Sequence, residues 1–128
     1  MNNRLEHAKR NHLLSEKLYQ EGEFLDWANT TAFYAALHYV QSKLLPNVYN
    51  GVYCESIDNV YIALNTKGKH EATCELVKVG LPSIAEKYSY LMNCSFTARY
   101  KSYIVHKEQA KLCQKFLSCI KDECDNEL

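Results

Sequence analysis

The residues with chemistry to offer are five histidines and a basic, tyrosine-rich run near the C-terminal end. That run reads Arg99-Tyr100-Lys101-Ser102-Tyr103-Ile104-Val105-His106-Lys107, with Lys111 one turn further on. Lysines attract phosphate by charge and tyrosines stack on bases, so Lys101, Tyr103 and Lys107 are candidates for holding single-stranded RNA. A solvated lysine face with tyrosines bridging core and water has the same composition, and Glu108 weakens its field.

His38 is embedded in the most apolar stretch of the chain, Asp26 to Ser42. A core histidine there needs a hydroxyl or backbone partner. Thr31 and Ser42 share its helical stripe, and His70 or Arg99 could approach it to form a polar centre. His70 precedes a helical pattern, where capping and a site role are both open to it. His7 and His12 are spaced poorly for a shared helical metal site, and no carboxylate or cysteine completes one. No metal or cofactor is expected. The six cysteines form no CxxC pair, which argues against a zinc ribbon or redox motif and for small apolar packing residues. Gly-rich phosphate loops, G-x-S-x-G and H-E-x-x-H are absent from the sequence.

Composition sets the frame in which these residues must be held. The chain has 128 residues, consistent with one domain over 1–128, and 47% are apolar, enough for a real core. Fifteen basic and fifteen acidic residues cancel, which argues against binding nucleic acid by overall charge but leaves room for a local basic patch. Ten tyrosines suggest a rim between core and solvent, or a subunit interface. The charged start lacks a signal-peptide apolar core, and no apolar run reaches membrane-spanning length. The expectation is a cytoplasmic protein with reduced thiols and no membrane partner.

Periodicity predicts an all-α fold. A first helix spans Arg4 to Tyr19 and ends at Gly22. The second is capped by Asp26 and runs to about Leu45, where Pro46 stops it. It shows no polar face, so neighbours should cover it all round, with Ala28, Ala32, Ala35 and Ala36 permitting close approach. Trp27, Phe33, Tyr34 and Tyr39 should fill the gaps between helices. Residues 47–70 form the long connection, with a short helix over Ser56–Leu64 and a turn at 65–68. His70 to Val79 is helical, and Gly80-Leu81-Pro82 breaks it. Ser83 with Glu86 has capping-box form and opens a helix lined by Ile84, Tyr88 and Leu91. Cys94 to Ser102 reads as a turn or irregular segment. The last helix covers about Val105 to Cys124, buries Ala110, Cys113, Phe116, Leu117 and Ile120, and frays in the acidic tail from Asp122. Strand signals are not evident. The sum is an antiparallel up-and-down bundle of four main helices plus one or two short ones.

Three blocks in this order carry a family resemblance: DWANTTAFYAALHYV at 26–40, GKHEATCELV at 68–77 and YSYLMNCSFTARY at 88–100. Together they resemble the HEPN superfamily of small prokaryotic helical domains, in particular its short stand-alone members. The resemblance implies a helical bundle that commonly forms a homodimer. It also implies a metal-independent ribonuclease of the toxin–antitoxin or defence type, with RNA as substrate and an antitoxin or other protein as partner. Other members of the superfamily have lost this activity and serve as binding modules.

The superfamily hallmark is an arginine followed four to six residues later by a histidine, two copies meeting across the dimer. In this sequence the matching pair is Arg99 and His106, with six residues between them. Tyr100 stands where the commoner form has a polar residue, and Glu108 where some toxin members have a tyrosine. Metal-free RNA cleavage needs a base for the 2′-OH, an acid for the leaving 5′-oxygen and a cation for the phosphorane. Histidine can serve in either proton role, and arginine holds phosphate bidentately without losing its charge. His106 is expected in the first turn of the last helix, where a structural role at a helix start would equally suit it.

Overall fold

The computed structural model describes residues 3–125 of the chain. The fold is all-α, a helical bundle in which six helices carry the architecture. These are α1 (Asn3–Glu21), α2 (Leu25–Leu44), α3 (Ile57–Ala63), α4 (Lys69–Gly80), α5 (Ala85–Tyr100) and α6 (Lys107–Asp125). A single 3-10 turn, Pro82–Ile84, leads into α5.

The centre is α2, packed by α1, α4, α5 and α6. Ala28, Ala32, Ala35 and Ala36 are fully buried, as is Ala8 of α1. With only a methyl at each position, neighbouring backbones come close enough for Phe33, Tyr39 and Val40 to fill the remaining space. Buried polar groups on this helix pair across to its neighbours. The Ser15 hydroxyl of α1 donates to the Ala28 carbonyl at 2.7 Å and accepts from Gln114 Nε2 of α6 at 2.7 Å. Gln41 Nε2 donates to the Thr73 hydroxyl of α4 at 3.3 Å.

Trp27 departs from the expected core role: it is 53% exposed, because α2 is enclosed only from Ala28 onward. The helix also starts one residue earlier than its presumed cap. Phe24 precedes it without a side-chain cap, and Asp26 sits inside the first turn, where a carboxylate favours the positive helix end.

The connection after α2 contains the strands that periodicity did not suggest. Strands β1 (Asn47–Tyr49) and β2 (Val52–Cys54) pair antiparallel, with Val48 opposite Tyr53. Asn50 (φ 51°) and Gly51 (φ 78°) make the two-residue turn, and both adopt the left-handed backbone that a primed hairpin turn requires. The hairpin is tied down by the Tyr49 hydroxyl donating to Leu44 O at 2.7 Å and by Asn50 Nδ2 donating to Ala63 O at 2.9 Å.

The capping box occurs at Ser56 with Asn59 and opens α3. At Ser83 it does not form, since the 3-10 turn takes that position and α5 begins without a side-chain cap. α5 continues through Cys94–Tyr100, where a turn was expected. No glycine or proline interrupts the segment, and Cys94, Ser95 and Ala98 are buried along it. At the other end α6 keeps Asp122–Asp125 helical, with Lys121 paired to Asp125 at 2.7 Å, while the rest of the expected fraying tail falls outside the described residues. All six thiols are free, and Cys54, Cys94 and Cys113 are core residues.

The alanine stripe gives a direct test. Ala32→Leu forces extra methylenes into a filled seam and should lower unfolding stability by about 1–3 kcal/mol. Urea denaturation followed by circular dichroism measures this; unchanged stability would mean that the seam has room.

Candidate functional site

Arg99 belongs to the last turn of α5 and is half-buried. Its Nη1 donates to the Tyr34 hydroxyl of α2 at 2.9 Å, and its Nε donates to Ser95 O at 3.4 Å. The guanidinium carbon stands 5.0 Å from the Tyr100 ring centroid and 5.5 Å from that of Tyr34. Phe96 extends this layer, its ring 5.1 Å from Tyr100. Cation–π attraction favours the arrangement without neutralising the charge. Among the described residues, none of the ion pairs engages Arg99. The result is a cation anchored by hydrogen bonds, with no carboxylate in ion-pair range among the described residues.

Beside Arg99 is a cavity of about 260 Å³ lined by Phe33, His70, Met92, Asn93, Phe96 and Arg99. His70, in the first turn of α4, reaches it by packing on Phe33, ring centroids 5.7 Å apart. The fold thus gathers one cation, one imidazole and two phenyl rings from α2, α4 and α5. Met92 Sδ is also 3.4 Å from Cys74 Sγ, which ties this wall to α4.

Residues 101–106 connect α5 to α6. Ser102 N donates to Thr97 O at 2.8 Å and closes the end of α5. Tyr100, Tyr103 and Ile104 are exposed by 66%, 75% and 70%, a concentration of bare apolar surface in a short segment. Lys101, Lys107 and Lys111 are also exposed. His106 is exposed and precedes α6 instead of lying in its first turn. Its carbonyl accepts from Ala110 N at 3.1 Å, so it occupies the capping position. No hydrogen bond or ion pair joins His106 to Arg99 among the described residues.

His38 is on a different face. Its ring stacks on His7 of α1 with centroids 5.2 Å apart, and neither His70 nor Arg99 is among its partners. Its Nδ1 is buried without a hydrogen-bond partner among the described residues. Burial lowers its pKa, and neighbouring His7 and Arg4 act in the same direction. His12 shows a related environment. Its Nδ1 is 2.9 Å from the Tyr39 hydroxyl, and its pKa is lowered by burial despite Glu16.

Sequence reasoning missed Tyr34, Phe96 and Met92. Phe96 and Tyr100, spaced i, i+4 around Arg99, were readable once the segment is taken as helix. Tyr34 comes from a distant helix and left no local signal. Among the described residues, no group of three or more His, Cys, Asp or Glu could hold a metal ion, and no helix is long and apolar enough to cross a membrane. No family model, curated protein or solved structure matches the chain.

The two histidines predict how stability depends on pH. Both have folded-state pKa values below the usual 6.5. Below 6.5 the unfolded chain therefore binds more protons than the folded one, and stability falls as pH drops toward the folded-state values. Thermal melts between neutral and mildly acidic pH should show this loss, and His38→Gln should flatten it. An unchanged pH slope in that variant would remove His38 as a contributor.

Proposed function

We propose that this chain is a HEPN-like, metal-independent endoribonuclease of the toxin or defence type that acts as a homodimer, with an antitoxin as its protein partner. The observation that carries the reading is Arg99: a cation flanked by tyrosines, half-buried, without an ion-pair partner among the described residues, followed by an exposed basic and aromatic segment that ends at His106. Tyr103, Lys101 and Lys107 would hold the flanking single strand by stacking and charge.

In this mechanism the 2′-oxygen attacks the adjacent phosphorus and the bond to the 5′-oxygen breaks. His106 of one copy removes the 2′-OH proton, and His106 of the second protonates the leaving 5′-oxygen. Arg99 stabilises the charge that develops on the phosphorane. The products are a 2′,3′-cyclic phosphate and a 5′-hydroxyl end.

A second reading is favoured by one specific feature. Nη1 and Nε of Arg99 are bonded inside the fold, which would suit a non-catalytic HEPN-like interaction module in which this arginine fixes α5 to α2.

Cleavage of a fluorescent single-stranded RNA in the presence of a chelator separates the two. His106→Ala should cost roughly 10²–10⁴-fold in rate. Arg99→Ala should cost about 10²–10³-fold. Undiminished cleavage in both variants would sink these roles, and a wild-type dimer that binds RNA without cutting it would favour the module.

A further inference from the structure

We propose that Cys94 of α5 and Cys113 of α6 form a dithiol site that hydrogen peroxide converts to an intramolecular disulfide. The site rests on the packing of two helices and not on the RNA reading above.

Helix register sets the pair. Tyr90 of α5 meets Phe116 of α6 edge to face, ring centroids 5.2 Å apart. Cys94 is one turn onward along α5, and Cys113 nearly one turn back along α6. Two antiparallel helices in this register set the thiols opposite each other. The Cys113 thiol donates a hydrogen bond to the Cys94 sulfur, and the Tyr90 hydroxyl donates a second. Two donors on one sulfur favour its thiolate, the form that attacks a peroxide. The bond from Cys113 holds Cys94 below the ordinary thiol pKa against the effect of burial, while Cys113 is pushed up by the same bond and by burial. Cys94 is therefore the attacking sulfur and Cys113 the resolving one.

The other four thiols lack this arrangement among the described residues. Cys54 donates to Val52 O at 3.4 Å, and Cys74 to Met92 Sδ at 3.4 Å. Cys119 and Cys124 are both on α6 at a spacing that turns them to different faces. Access suits a small oxidant, since Cys94 is 6% exposed and Cys113 is fully buried. Tyr90, bonded to Cys94, lines two surface clefts of about 310 Å³ and 420 Å³, so solvent comes within one side chain of the attacking sulfur.

Two thiols and one peroxide give one disulfide and two waters. The Cys94 sulfur attacks a peroxide oxygen, the O–O bond breaks, and the departing hydroxide takes the thiol proton as water. The Cys113 sulfur then displaces the hydroxyl of the Cys94 sulfenic acid. The S–O bond breaks, the S–S bond forms, and the hydroxyl leaves with the Cys113 proton as the second water. The ring so closed contains the whole segment from Arg99 to His106 and ties its two flanking helices together.

The reduced full chain is treated with hydrogen peroxide, its remaining thiols are blocked with N-ethylmaleimide in denaturant, and it is digested without reductant for mass spectrometry. The treated chain should take up two fewer maleimide groups than the reduced chain. It should also yield a linked pair of peptides carrying Cys94 and Cys113, which dithiothreitol separates. This result needs no variant, so misfolding cannot mimic it. Cys113→Ser should leave Cys94 as a sulfenic acid that dimedone traps, and Tyr90→Phe, which removes one donor, should slow the oxidation several-fold. Maleimide on both Cys94 and Cys113 after peroxide would overturn the site, as would a disulfide joining any other two thiols.

Discussion

The structure depends on one constraint: α2 must be covered on most of its circumference. An apolar helix with alanines at Ala28, Ala32, Ala35 and Ala36 has no stable existence facing water, and its small side chains give neighbouring helices a close approach. Hydrophobic burial supplies the drive, while buried hydrogen bonds fix the register. Ser15 links α1, α2 and α6 through two 2.7 Å bonds, and Gln41 links α2 to α4. An error of one residue in any of these packings would leave a buried donor or acceptor unpaired, at a cost of about 1–3 kcal/mol. Packing thus makes the bundle, and polar pairing makes it a particular bundle.

The candidate site inherits its rigidity from the same helix. Tyr34 projects from the half-buried side of α2, so its hydroxyl sets where Arg99 can stand. Phe33, the preceding residue, turns into the core and lies at the back of the adjacent cavity, its ring near those of Tyr34, His70 and Tyr88. Two consecutive residues of one helix therefore place a cation and an apolar surface side by side. By contrast, residues 101–105 carry few hydrogen bonds among the described residues beyond those to Thr97 O and Ser102 Oγ. The arrangement joins an anchored cation to an exposed segment.

The main helices were legible from apolar residues at helical spacing in α1, α4 and α6, and from the long apolar run of α2 between Gly22 and Pro46. The hairpin was equally available in principle: Asn50-Gly51 between Tyr49 and Val52 is a strong turn signal, overlooked because three-residue strands show too little alternation to register. The segment expected as a turn at Cys94–Ser102 holds modest helix formers such as Ser95 and Thr97, and burial of Ser95 and Ala98 along α5 decides the outcome. The capping sequence at Ser83 lost to Pro82, which fits a tight 3-10 turn better than an α-helical N-cap. Of the site, Arg99 and the exposed basic run were visible as residues. Their partners were not, since Tyr34 is 65 positions from Arg99, and only the packed bundle brings the two together. His38 and His70 could not be told apart by spacing; one stacks on α1 and the other opens onto the cavity.

The central claim is that single-stranded RNA meets this protein at the face built around Arg99. Ultraviolet cross-linking of the full chain to a short single-stranded RNA, followed by mass spectrometry of the peptides, tests it most directly. Adducts should concentrate on Phe96, Tyr100 and Tyr103. Adducts confined to the β1–β2 hairpin or to α1, with none between residues 96 and 107, would contradict it.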